Sequence, residues 1–233
     1  MDLVFATNNS HKLQEITEKL RACRGGACFD FAQQPRFLNL SKDAPTPIRI
    51  ISLSDIGFSD EIPETGTTFH ENALQKAQTI YDYCHINCFA DDSGLEIEAL
   101  NGAPGVYSAM YAEAYAFLSE GVQSLSGVEM KNTPNFDDNI NLVLSQLHGK
   151  TNRRACFKSV IALILDGEIH YFEGRVDGEI ITEKRGTKGF GYDPIFIPNG
   201  YNETFAELSI EEKNNISHRG RAVEKLIAFL SGL

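Results

Sequence analysis

The stretch Phe89-Ala90-Asp91-Asp92-Ser93-Gly94-Leu95 closes an apolar run with two adjacent carboxylates. A strand that ends this way delivers negative charge to the rim of a sheet. Paired carboxylates suit a hard cation, and magnesium takes one or two of them together with substrate phosphates rather than a full protein cage. Asp-Ser-Gly is also an ordinary turn sequence, so the motif needs partners elsewhere. Thr7-Asn8-Asn9-Ser10-His11-Lys12 offers a hydroxyl, amides, free helix N–H groups and an ammonium to one polyanion, although a plain N-cap at Asn9 or Ser10 explains the same residues. Its glycine spacing is not that of a Walker loop. Ile62-Pro63-Glu64-Thr65-Gly66 brings Glu64, a further candidate metal oxygen, just ahead of a helix start. In Gly189-Phe190-Gly191-Tyr192-Asp193-Pro194 the glycines let the backbone approach a ligand while Phe190 is free to stack on a base; a tight turn with Phe190 in the core is the plainer alternative. Lys213 and Ser217-His218-Arg219-Gly220 gather cationic and hydrogen-bonding groups at a helix start, against the helix dipole, as an anion or carbonyl ligand would require.

The elements between these loops follow from hydrophobic period. Leu3–Thr7 reads as a buried strand and Ser10–Leu20 as an amphipathic helix with Leu13, Ile16 and Leu20 inward. Residues 21–46, broken by Gly25-Gly26 and several prolines, read as an irregular excursion. Ile48–Leu53 reads as a second strand. Thr67–Tyr83 reads as a long helix with Phe69, Ala73, Ala77 and Ile80 on one stripe. After the Asp91-Asp92 strand, Gly94–Ala99 alternates and is expected to pair back as a hairpin. Tyr107–Leu125 and Phe136–Leu147 read as helices. Asp166-Gly167 is a two-residue hairpin signal between Ala155–Leu165 and Ile169–Arg175, Val176–Thr182 extends that sheet, and Ile195–Ile197 is a short strand. A final helical stretch, Ile210–Leu230, is interrupted near Asn214-Asn215. Strands and helices that interleave early, with a hairpin sheet later, predict a mixed α/β protein of two lobes with ligand between them.

At 233 residues and 42% hydrophobic content the chain can bury a substantial core. Its formal charge of −11 argues against a nucleic acid polymer or an anionic membrane as partner. No run approaches the length of a membrane span, and a cytoplasmic protein is expected. The five cysteines are irregularly spaced, so neither a disulfide framework nor a zinc site is indicated.

Taken in order, Thr7-Asn8-Asn9-x-x-Lys12, Glu64-Thr65-Gly66, Ala90–Leu95, Gly102-Ala103-Pro104-Gly105-Val106-Tyr107-Ser108, Phe190-Gly191-Tyr192-Asp193-Pro194 and Ser217-His218-Arg219 resemble the inosine triphosphate pyrophosphatase family across essentially the whole chain. The resemblance implies a single α/β domain over 1–233, two-lobed, with a long curved mixed sheet, helices on both sides and a nucleotide cleft between lobes. It also implies a homodimer. The implied activity is hydrolysis of ITP, dITP and XTP to monophosphate and pyrophosphate, with Mg²⁺ as cofactor; a noncatalytic nucleotide sensor, or a pyrophosphatase for another modified nucleotide, is the alternative. By the same resemblance Thr7, Asn8, Asn9 and Lys12, in the loop that includes Ser10 and His11, hold the triphosphate. Glu64 and Asp92, with Asp91, ligate the metal, and Asp92 activates water. Ser93 lies against the nucleotide, Phe190 stacks on the base beside Gly191 and Tyr192, and Asp193, Lys213, His218 and Arg219 read the purine 6-oxo edge. The chain departs from the family pattern at Met110, where relatives carry Arg, and in expected insertions at 21–46 and 114–135.

Overall fold

The computed structural model describes residues 1–22, 29–31, 48–121 and 135–233. Among the described residues, seven strands form one sheet: β1 (Asp2–Phe5), β2 (Phe29–Phe31), β3 (Ile48–Ile51), β4 (Cys88–Ile97), β5 (Arg154–Leu165), β6 (Glu168–Ile180) and β7 (Phe196–Pro198), in the order β2-β3-β1-β4-β5-β6-β7. The first four pair in parallel and the rest antiparallel, so the sheet is mixed. The six helices of the described residues are α1 (Ser10–Ala22), α2 (Phe69–Cys84), α3 (Tyr111–Ser119), α4 (Phe136–Gln146), α5 (Ile210–Ile216) and α6 (His218–Leu230).

Alternation along the strands sends each apolar set to its own layer. Leu3, Phe5, Phe89, Ile161 and Leu163 pack beneath Ile16 and Leu20 of α1 and Val223 and Leu226 of α6. Val4, Cys88, Ala90, Val160 and Ala162 pack on the opposite face against Phe69, Ala73, Ala77 and Ile80 of α2, the stripe expected from its period. Further along, Leu95, Ile97, Phe157 and Val176 meet Ile140 and Val143 of α4 with Phe196 and Phe205. The two halves of the long antiparallel strands thus carry separate cores, with helices on both sides.

The Asp166-Gly167 hairpin forms as expected between β5 and β6, which pair from Arg154↔Glu179 to Leu165↔Glu168. The expected hairpin at Gly94–Ala99 does not form. β4 runs unbroken from Cys88 to Ile97 and pairs residue for residue with Ala155–Ile164. Gly94 serves close approach rather than a turn, because a Cβ there would lie 2.4 Å from Gly105 O and 2.6 Å from Ser108 Oγ. The expected helix from Tyr107 begins as a 3₁₀ turn over Gly105–Met110 and becomes α-helical at Tyr111. The final helix breaks at Ser217, which caps α6 by accepting from Gly220 N (3.0 Å). The expected insertion at 114–135 starts inside α3, whose Ala114 is buried. Residues 122–134 and most of 21–46 lie outside the described residues; within 21–46 the described residues 29–31 form the edge strand β2. No helix of the described residues is long and apolar enough to cross a membrane.

Candidate active site

β1 stops at Phe5, which lies opposite Phe89, while β4 continues for eight residues beyond. Asp91 and Asp92 are therefore mid-strand toward β5 yet stand past the end of β1, where ligands gather in α/β sheets. Strand alternation sends them to opposite faces. Asp92 faces α2, where Lys76 Nζ reaches its Oδ1 (3.1 Å) and Asn72 Nδ2 donates to its Oδ2 (3.2 Å). Asp91 faces α1 and α6, where Lys12 Nζ (3.1 Å) and Arg219 Nε (3.2 Å) meet its Oδ2.

Local chemistry fixes each contributor. Thr68 starts α2 through a capping box with Glu71, which sets the phase of Asn72 and Lys76. The Glu64 loop is tied to that helix by Gly66 N donating to Asn72 Oδ1 (2.7 Å) and Thr65 N to Gln75 Oε1 (2.9 Å). Glu64 Oε1 then lies 2.6 Å from Lys76 Nζ, so two carboxylates from separate elements converge on one ammonium. Asn9 is the cap of α1, its Oδ1 accepting from His11 N (3.0 Å) and Lys12 N (3.1 Å). The plain capping role thus holds, and the same turn aims Lys12 at Asp91.

A cavity of about 380 Å³ opens here, within the range of small-molecule sites. Of the residues expected from sequence, it is lined by Thr7, Asn8, Asn9, Lys12, Glu64, Asp92, Ser93, Phe190, Gly191, Tyr192, Asp193, Lys213, His218 and Arg219. Ser10, His11 and Asp91 are absent from its wall. Ser10 is the exposed first residue of α1. His11 lies flat on Phe190, ring centroids 5.0 Å apart at 16°. Asp91 is paired with Lys12, and only 1% of its side chain is exposed, so unlike Glu64 and Asp92 it does not line the cavity. Met110 also lies off this wall, at the start of α3.

Among the lining or supporting residues without a sequence-level assignment, Lys76, Phe136, Phe157 and Glu15 stand out. Lys76 sits between Ala73 and Ala77 on the inward stripe of α2, a core-facing charge that was the available signal. Glu15 is buried among cations: Lys213 Nζ lies 2.6 Å from its Oε1, and Arg219 Nη1 pairs with its Oε2. Lys213 also reaches Asp193 Oδ2 (2.7 Å), which accepts from Phe190 N (2.8 Å). Nothing in the spacing of α1 marks Glu15, because its partners lie about two hundred residues away in sequence.

Protonation follows from these surroundings. Burial would raise the Asp91 carboxyl, but Lys12 and Arg219 outweigh it and hold the group well below the usual carboxylate range. Asp92 is shifted the other way, burial prevailing over the pull of Lys76. His218 stacks on Phe157 (4.8 Å, 11°), and burial, then Arg219 and Lys213, hold it neutral, well below 6.5. Its buried Nδ1 has no hydrogen-bond partner among the described residues.

Cations and carboxylates beside the end of a parallel strand run on here to an aromatic ring, a neutral imidazole and a guanidinium, a lining suited to a polyanion that carries a flat ring, as a nucleotide does. The Ham1 family model matches residues 3–229, and the chain belongs to the Ham1 family. It is 44% identical over 229 residues to a dITP/XTP pyrophosphatase of Flavobacterium psychrophilum, covering 98% of each chain. A second dITP/XTP pyrophosphatase, from Christiangramia forsetii, is 43% identical over 231 residues, covering 99% of this chain and all of that one. Among solved structures, a HAM1 protein from Coxiella burnetii superposes with TM-score 0.76 at 36% identity, covering 100% of both chains.

Proposed function

We propose that this chain hydrolyses non-canonical purine nucleoside triphosphates (ITP, dITP and XTP) at the α-phosphorus, releasing pyrophosphate. The observation that carries the reading is the convergence of Glu64 and Asp92 on the single Lys76 ammonium, in the wall of the cavity that also holds Lys12, Phe190 and His218. The relatives named as dITP/XTP pyrophosphatases support the substrate class.

The donor set fits Mg²⁺. Glu64 Oε1 and Asp92 Oδ1 already meet around one positive charge, the small oxygen set that magnesium takes together with phosphates and water. Bound Mg²⁺ would neutralise charge on the phosphate oxygens. Asp92, a carboxylate in the cavity wall, accepts the proton of the attacking water. The water oxygen joins the α-phosphorus as the bond to the bridging oxygen breaks, and pyrophosphate leaves toward Lys12 and the N-terminus of α1.

Phe190, on one face of which His11 lies flat, takes the base on its other face. His218 and Arg219 line the same cavity and are the groups placed to read the 6-position. A donor aimed there is satisfied by a 6-oxo group and left unmatched by the 6-amino group of adenine, so ATP is disfavoured, by up to roughly 10⁴-fold. A homodimer and a cytoplasmic location belong to the same proposal, and sedimentation equilibrium tests the first.

Pyrophosphate release from ITP, dITP, XTP, dUTP and ATP, with and without Mg²⁺, tests the activity. Release from the 6-oxo purines with Mg²⁺ is expected, and none from any triphosphate overturns the reading. Asp92→Asn should cut turnover by about 10²–10⁴-fold while ITP still binds; near-native rates would remove Asp92 from the reaction.

A further inference from the structure

Asp91 is the one carboxylate of the adjacent pair that the reaction above does not use. Its Oδ2 accepts from Lys12 Nζ (3.1 Å), Arg219 Nε (3.2 Å) and Ser93 Oγ (2.8 Å) at once. Its Oδ1, equally buried, has no hydrogen-bond partner among the described residues. One oxygen therefore serves both the cation of the phosphate loop and the cation of the base pocket, while its twin is idle. From Arg219 the alternation of charge continues through Glu15 to Lys213 and Asp193, and ends on the backbone N–H of Phe190. The residues that hold phosphate and those that hold the base are thus joined by an unbroken buried series, and Asp91 is the link between its two halves.

We infer that Asp91 is a positioning residue that makes base discrimination conditional on the triphosphate; this rests on the activity proposed above. A triphosphate draws the Lys12 ammonium toward its own more highly charged oxygens. Asp91 Oδ2 then loses one of three donors, and the pair of oxygens is free to take two N–H groups of the Arg219 fork, the geometry guanidinium and carboxylate favour. Arg219, held by Glu15 on its other side, becomes fixed in orientation toward the purine edge. Occupancy at Lys12 and recognition at Arg219 are then coupled, and the coupling is reciprocal in binding.

The measured quantity is selectivity, the ratio of kcat/KM for ITP to that for ATP, in the native protein, Lys12→Gln, Asp91→Asn and the double variant, each across a Mg²⁺ titration. Lys12→Gln touches no base-pocket group, yet is expected to lower selectivity about tenfold. Asp91→Asn should lower it similarly with the Mg²⁺ midpoint unmoved, and the double variant should fall no further than either single change, as members of one linked unit do. Equal losses for ITP and ATP in Lys12→Gln would overturn the inference. So would an Asp91→Asn protein whose Mg²⁺ midpoint rises while selectivity holds, which is the signature of an ion ligand. If Asp91→Asn does not fold, Lys12→Gln decides alone. A native protein that releases pyrophosphate from no triphosphate takes the activity reading down as well, a result distinct from unchanged selectivity.

Discussion

Lys76 illustrates how much a single buried charge decides. About 7% of its side chain is exposed, and its ammonium separates the Glu64 and Asp92 carboxylates, which would otherwise repel each other. Burial opposes its charge, but Asp92 and Glu64 prevail and hold it above the usual lysine range, so it stays an ammonium. Lys76→Met removes the cation and leaves two like charges facing each other, at a cost of about 3–5 kcal/mol. That loss should appear as a lower Tm in chelator, and Mg²⁺ should recover more stability in the variant than in the native protein, since ion binding to the folded state stabilises it. An equal Mg²⁺ effect on both would mean that the two carboxylates do not share an ion. At this scale the chemistry of Asp92, Glu64 and Lys12 is legible from residue type, whereas Lys76 hides because lysine is ordinarily a solvated residue.

At the scale of elements, the proposed base pocket depends on how α6 crosses β6. Gly174 lies beneath the first turn of α6, and a Cβ there would fall 1.9 Å from His218 O and 2.6 Å from Ala222 N. Both obstacles are backbone, so Gly174→Ala has to move the helix that carries His218 and Arg219. A stability loss of about 1–3 kcal/mol is expected, with a KM for ITP raised more than kcat is lowered; a normal KM would show that the helix start does not set the pocket. The sequence disclosed the start of α2, the Asp166-Gly167 hairpin and the two-part final helix, because caps, turns and apolar stripes are local signals. It misplaced the run after Asp92. Asp-Ser-Gly reads as a turn when only neighbours in sequence are considered, and Gly94 is instead required by Gly105 and Ser108 packing across it.

For the molecule as a whole, burying so many charges ties stability to pH. His218 is neutral in the folded protein but takes a proton near 6.5 once unfolded. The unfolded state therefore binds more protons, and stability falls as pH drops below about 6.5, by up to about 1.4 kcal/mol per unit until the folded value is reached. The depressed carboxyls of Asp91 and Glu15 add losses of the same sign only below about pH 4. Asp92 and Asp193, raised by burial, act with the opposite sign, so a His218→Gln comparison isolates the imidazole. The native Tm should drop further than that of the variant between pH 7.5 and 5.5; parallel drops would place His218 in solvent.

By itself the sequence determined the α/β class, the order of most elements, and most of the residues that line the cavity, because each is carried by spacing within a few residues. Tertiary structure alone decided that Asp91 meets Arg219, that Lys76 is the charge between Glu64 and Asp92, and that Glu15 holds Lys213 and Arg219. Those contacts join positions far apart in the chain. Their strength comes from burial in a low-dielectric interior that exists only once the sheet and its helices have packed.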